Sequence, residues 1–179
     1  MITHTMHSML PGAKAKDFFD FMAYAPQDVY DKWLPEEHYE FHLIEKGKDE
    51  PVGNFYYFDQ NIGKKFRMRF YAILIAAERP TRVVFRMRKF GITLPGFLEL
   101  NFEDTSDGLV LTEQIRIGFN GIGAVLDPFI RIVYSKRFFK EMDSHHTREW
   151  IRLSECLSEV AVDSTELVRG LPRGNQNRK

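Results

Sequence analysis

Four consecutive runs of the chain alternate apolar and polar residues with period two, and this alternation restricts the fold more than any other feature. In the first run Phe66, Met68, Phe70, Ala72 and Leu74 share one side, while Lys65, Arg67 and Arg69 take the other. Val83, Phe85 and Met87 then alternate with Arg82, Arg86 and Arg88. Leu98, Leu100 and Phe102 alternate with Glu99, Asn101 and Glu103, and Leu109, Leu111, Ile115, Ile117 and Phe119 line one side of the last run. Successive side chains on a strand point to opposite faces, so each run reads as a strand with one buried and one wet side. Glu78-Arg79-Pro80 and Asp104 to Gly108 have the composition of turns between strands. With a further strand at Val52 to Gln60, five hairpin-linked strands in series form an antiparallel meander. Glu40 to Glu45 is another candidate strand, and residues 2–8 alternate weakly enough to suggest a first edge strand.

The period changes at both ends of the meander. Pro11-Gly12 breaks the chain before a short helix containing Phe18, Phe19, Phe21 and Met22. A second short helix fits Pro26 to Trp33, ending before Leu34-Pro35 because a residue preceding proline avoids the α region. After Gly121 and Gly123, Asp127-Pro128 reads as a helix N-cap followed by a first-turn proline. From there Phe129, Ile132, Val133, Phe139, Met142, His146, Leu153, Cys156, Leu157 and Val160 recur at three- and four-residue steps. A helix over 128–161 would be roughly 50 Å long and would span the whole sheet. The order predicts an α+β fold: a curved antiparallel sheet wrapped around a long C-terminal helix, with two short helices near the N-terminus. Residues 1–162 read as a single domain and 163–179 as a disordered tail.

Composition narrows the function classes. The 25 basic and 25 acidic residues cancel, which argues against nucleic acid as a partner. A single cysteine, Cys156, cannot form an internal disulfide and suits a reducing compartment. Neither a signal peptide nor an apolar stretch of membrane-spanning length is visible, so no membrane partner and a cytoplasmic location are expected. The 16 Phe and 7 Tyr fit either a Phe-rich core or a cavity for a flat apolar ligand. There is no glycine-rich phosphate loop, paired-cysteine site or nucleophile elbow.

Three segments could carry chemistry. In Ser144-His145-His146-Thr147-Arg148-Glu149-Trp150, His145 and Glu149 lie four residues apart on one helical face and can reach one divalent ion. The pairing of His146 with Trp150 follows the apolar face more directly. In Trp33-Leu34-Pro35-Glu36-Glu37-His38, His38 falls where the short helices give way to the sheet, with His42 as the alternative on strand parity. The third segment, Phe55 to Gly63, closes an aromatic strand with Asp59 and Gln60. Glu113 is in phase with Leu111 and Ile115 and should point inward, towards a metal or an arginine, unless it lies near a sheet end and reaches water.

The element order resembles the helix-grip fold of the START-like (SRPBCC) superfamily, which implies an interior cavity between sheet and last helix. The three segments together resemble the diacetylphloroglucinol/phloretin hydrolase family, whose members bind zinc through two histidines and two glutamates and cleave the carbon–carbon bond between an acyl group and a phenolic ring. WLPEEH assigns a ligand role to His38, and the final H-x-x-x-E assigns it to His145 and Glu149. GAVLDP also matches a stretch of that family. DQNIG departs from it: Gln60 stands where the family has glutamate, with Asp59 one residue earlier. Asp59 substitutes only if the strand is bulged or shifted. The resemblance implies zinc or another divalent metal, with a zinc-bound water and no named side chain as the catalytic group. Trp33, Tyr56, Tyr57, Phe66, Met68, Phe70, Phe85, Met87 and Glu113, with Leu98 and Leu100, are the residues expected to meet the substrate. The competing expectations are a non-catalytic carrier of a small hydrophobic molecule and a metal-independent polyketide cyclase or aromatase. A small apolar or aromatic ligand is the expected partner, with a homodimer as a further option.

Overall fold

The computed structural model describes residues 1–169 except 26, 31, 64–65, 120–123 and 126, and side chains except those at 27, 28, 129, 133 and 160–169. Seven antiparallel strands form one sheet: β1 (Ile2–Pro11), β2 (His38–Glu45), β3 (Phe55–Ile62), β4 (Phe66–Glu78), β5 (Arg82–Lys89), β6 (Ile92–Thr105) and β7 (Gly108–Ile117). Their spatial order is β1-β7-β6-β5-β4-β3-β2. Strands β2 to β7 are therefore a continuous meander, as the alternation predicts. β1 adds to the free edge of β7 in unbroken register, from Ile2 opposite Ile117 to Pro11 opposite Gly108.

The apolar phase of each strand turns to the concave side. Phe70, Ala72 and Leu74 on β4, Val83, Phe85 and Met87 on β5, and Leu109, Leu111, Ile115 and Ile117 on β7 are all buried. The arginine phase faces outward. Helices α1 (Ala15–Tyr24) and α2 (Gln27–Tyr30) close one end of the concave side, where Phe18, Phe19, Phe21 and Met22 are buried. Burying a Phe or Met side chain contributes roughly 1.5–3 kcal/mol, so α1, too short to be stable alone, is held by this contact.

The helix expected over 128–161 is two helices. α3 covers Asp127–Val133 and α4 covers Lys136–Arg169. At the break the Ser135 hydroxyl accepts a hydrogen bond from the Phe138 amide at 3.4 Å, the N-cap arrangement of a new helix. Asp127, expected to cap the first helix, is its first residue, and its carboxylate accepts the Phe119 amide at 2.9 Å. Ile132, placed on the apolar stripe by its spacing, is 75% exposed because it belongs to α3 rather than to the helix on the sheet. At the other end α4 continues through 163–169, beyond the expected stop at 161, and the sequence contains no Gly or Pro until Gly170. The rest of the expected tail, 170–179, lies outside the described residues.

Phe138, Met142, His145, His146, Glu149, Trp150, Leu153 and Cys156 form the buried stripe of α4. The middle of that stripe is polar, and every polar member is at most 5% exposed. A sheet gripping a long helix in this way is the helix-grip architecture. No helix among the described residues is long and apolar enough to cross a membrane.

Candidate metal centre and cavity

The turn before β2 positions His38, the first candidate ligand. Leu34 adopts φ 53°, a left-handed conformation that non-glycine residues rarely hold. Its carbonyl accepts the Glu37 amide at 3.0 Å and the His38 amide at 2.8 Å, and the Asn61 amide donates to the Glu37 carbonyl at 2.7 Å. The β2–β3 register then shifts between His38 and Glu40, so His38 and Phe41 both face inward although they are three residues apart. His42, the alternative on parity, is left on the outer face against Tyr57 and Glu40.

On α4 the i,i+4 spacing places His145 and Glu149 one above the other, and His38 meets both. His38 Nε2 and His145 Nε2 are 3.3 Å apart, His38 Nε2 and Glu149 Oε2 3.3 Å, and His145 Nε2 and Glu149 Oε2 3.2 Å. These three atoms form a nearly equilateral triangle. A tetrahedral ion with bonds of about 2.0–2.1 Å sets its ligand atoms about 3.3–3.4 Å apart, so the triangle has the dimensions of one face of a zinc site. Nitrogen and carboxylate donors also suit that ion. The residues therefore fit the metal that the sequence resemblance implies.

The surroundings polarise the triangle. Glu37 Oε2 lies 2.5 Å from His145 Nδ1, and Arg148 donates to Glu37 Oε1 at 2.6 Å. Burial works to lower the His145 pKa, but the carboxylates of Glu149 and Glu37 outweigh it and raise it to about 9. Burial likewise works to raise the Glu149 pKa, and the two histidines overcome it and hold the carboxyl far below its usual range. Without metal the site thus keeps an imidazolium between two carboxylates. Trp33 fixes the helix from the side, donating from Nε1 to the Glu149 carbonyl at 2.6 Å and packing edge-on against His38. His38 Nδ1 is buried with no hydrogen-bond partner among the described residues.

Of the two candidates for a fourth ligand, Asp59 is not available. β3 and β4 pair in unbroken register, so Asp59 stays on the outer face, where Arg67 and Arg69 take both carboxylate oxygens at 2.8–3.0 Å. These hydrogen bonds, Arg67 first, outweigh burial and lower its pKa. Gln60 is the register partner of His38 and lines the cavity, so the neutral amide occupies the position next to the centre.

The cavity itself is slender, about 40 Å³. Its walls include His145 and Glu149 at the polar end with Trp33, Phe58, Met68, Phe70, Met87, Leu98 and Trp150 around them. Trp33, Met68, Phe70, Met87, Leu98 and Glu113, among those expected to meet the substrate, line this cavity. Four others do not. Tyr57 is on the outer face against Tyr71, since adjacent strand residues cannot share a side. Tyr56 is buried under α1, its hydroxyl donating to the Ala23 carbonyl at 2.5 Å, and Phe85 packs against it. Phe66 packs on Phe138 at the edge. Leu100 is buried in the same core as Phe85, away from the cavity. Phe58, Met142 and Trp150 were missed, although Phe58 shares strand parity with Gln60 and Met142 shares the α4 stripe.

Glu113 points inward as its phase predicts, but its partner is neither arginine nor a sheet-end water. Trp150 Nε1 donates to Glu113 Oε2 at 3.0 Å, and His146 Nδ1 lies 2.7 Å from the same oxygen. Ser8 Oγ is 3.0 Å from His146 Nε2. Glu113, His146 and Glu149 also bring ligand atoms within 4.8 Å of one another, and there the Trp150 indole N–H already donates to Glu113 Oε2.

No family model matches the sequence, and comparison with curated proteins gives no match. Solved structures do resemble it. A protein from Rhodobacter sphaeroides aligns with TM-score 0.56 at 12% identity, covering 88% of this chain and 93% of that one. A protein from Nitrosomonas europaea aligns with TM-score 0.54 at 8% identity, covering 89% and 96%. The major latex-like protein 151 of Panax ginseng aligns with TM-score 0.52 at 13% identity, covering 82% and 99%. At such identities the likeness shows the shared helix-grip fold and nothing of the chemistry.

Proposed function

We propose that the cavity binds a small, largely apolar aromatic ligand, and that the protein is a metal-dependent hydrolase of an acylated phenolic compound. The observation that carries this reading is the triangle of His38 Nε2, His145 Nε2 and Glu149 Oε2, with sides of 3.2–3.3 Å, at the polar end of an apolar cavity. A divalent ion held there supplies a Lewis acid for the acyl carbonyl and an acidified water. The chain's own residues do the rest. Trp33, Phe58, Phe70 and Trp150 offer flat surfaces for the ring, and Glu113 offers an acceptor for a phenolic hydroxyl. Gln60 presents an amide that orients the acyl oxygen or a water. In the balanced reaction, water adds its oxygen to the acyl carbon, the bond to the ring carbon breaks, and the ring carbon takes a proton. The products are a carboxylic acid and the deacylated phenol.

A cavity of 40 Å³ holds about three waters, so a ring enters only if the wall moves. Met22, Met68, Met87 and Met142 are the part of the wall suited to this, because unbranched thioethers re-pack at low cost.

The second reading, a carrier of a hydrophobic ligand without chemistry, is favoured by Gln60, a neutral donor where the hydrolases resembled in sequence carry glutamate. Zinc-loaded protein incubated with 2-acylphenols separates the two. Release of the carboxylic acid, lost in His145→Ala, supports the hydrolase. Ligand binding without turnover in zinc-loaded protein supports the carrier.

A further inference from the structure

The most constrained contact in the centre belongs to a residue outside the triangle. Glu37 is anchored on both oxygens: Oε2 to His145 Nδ1 at 2.5 Å and Oε1 to Arg148 at 2.6 Å. Its backbone is pinned as well, by Leu34 on one side and Asn61 on the other. The Glu37 side chain is 14% exposed and that of His145 1%, so water does not compete effectively for the contact. A carboxylate at Nδ1 keeps a proton on that nitrogen, so Nε2 is the nitrogen that would give up its proton and turn a lone pair towards a cation in the triangle. It also stops the ring from rotating, and outer partners of this kind raise the basicity of a ligating imidazole.

We propose that Glu37 is a positioning residue that fixes the tautomer and orientation of His145 and thereby sets the affinity of the centre for a divalent ion, with Arg148 holding Glu37 in place. This rests on the metal-centre reading above. Glu37 touches neither the proposed ion nor the cavity, so it acts only through His145. The neighbouring Glu36 lies in the same turn without a side-chain contact to the centre and serves as the control.

The test is a zinc titration against a chromophoric chelator for the wild type, Glu37→Gln, Glu37→Ala, Arg148→Met and Glu36→Ala, each checked for folding by circular dichroism. It is joined by ¹⁵N-resolved NMR of the zinc-loaded histidines. The expected result is a zinc affinity about 10–100-fold weaker in both Glu37 variants, a smaller loss in Arg148→Met and none in Glu36→Ala. The hydrogen-bonded Nδ1 proton of His145 should be visible in the wild type and shifted or lost in Glu37→Gln, a readout that a merely structural role would not move. Zinc binding in the wild type with Glu37→Gln within twofold, and an unchanged Nδ1 signal, would overturn the role of Glu37 and leave the centre standing. No zinc binding in the wild type would overturn the centre and this role with it.

Discussion

His38 Nε2 and His145 Nε2 face each other across 3.3 Å although 107 residues separate them in sequence. Both side chains are 1% exposed, and Glu149 Oε2 completes the triangle at 3.2 and 3.3 Å. Two imidazole nitrogens this close repel unless a proton or a cation lies between them, and a carboxylate at the third corner favours either. Removing a corner should therefore have two consequences. Glu149→Ala should weaken zinc binding roughly 100-fold or more, beyond the loss typical of an outer-shell change. In metal-free protein the same variant should lose about 1–3 kcal/mol of stability, because it leaves the buried His145 imidazolium with Glu37 but without its second carboxylate. Titration with zinc and chemical denaturation of the metal-free variant read the two effects separately.

Gln60→Glu should tighten zinc binding. The residue is the register partner of His38 and already lines the cavity, so a carboxylate there adds a charged donor without a change of backbone. A gain of about tenfold, or about 1.4 kcal/mol, is expected from competition titration. The metal-free form should be less stable, since a third carboxylate would join Glu37 and Glu149.

Asp59→Asn should leave zinc affinity unchanged within twofold. Its carboxylate is held by Arg67 and Arg69 on the opposite face of the sheet, and those arginine side chains are 48% and 55% exposed. The expected loss of stability is about 1–2 kcal/mol, because the Asp59 side chain is 6% exposed while its arginine partners stay half-exposed. A zinc defect in this variant would contradict the assignment of Asp59 to the outer face.

Tyr56 gives the fold a signature at alkaline pH. Burial, only partly offset by the hydrogen bond from Asn54, pushes its hydroxyl up to about 12. A group whose pKa is raised by folding contributes stability that is complete below its unfolded value near 10 and is lost as pH rises through 12. The melting temperature should fall over that window, and the fall should be smaller in Tyr56→Phe. The variant should itself cost about 1–3 kcal/mol at neutral pH, because Asn54 and the Ala23 carbonyl lose a buried partner. Absorbance titration of tyrosinate should show one fewer late-ionising group in Tyr56→Phe.

The sheet was legible in the sequence because period-two alternation reports a face directly: parity put Met68, Phe70 and Met87 on the inner face, and the helix-grip resemblance put a cavity there. The three residues of the triangle were legible for two different reasons. His145 and Glu149 follow from helical spacing, whereas His38 followed from the resemblance of WLPEEH, since simple parity offered His42 equally and only the register shift after His38 decides between them. Asp59 and Tyr57 fell on the outer face because their strand has no bulge. The break at Ser135 was hidden because the apolar spacing of α3 and α4 is nearly continuous across it, and one hydroxyl cap marks where a helix restarts. Glu37 escaped notice for another reason. Its role depends on a contact with a residue 108 positions away, and no local pattern encodes that.

Cobalt titration of the metal-free protein, followed by the visible absorption of tetrahedral cobalt, tests the centre most directly. One saturable equivalent per chain, displaced by zinc and absent in His145→Ala, is the expected result. Absence of saturable uptake, or the same uptake in His145→Ala, would contradict the assignment of His38, His145 and Glu149 as a metal site.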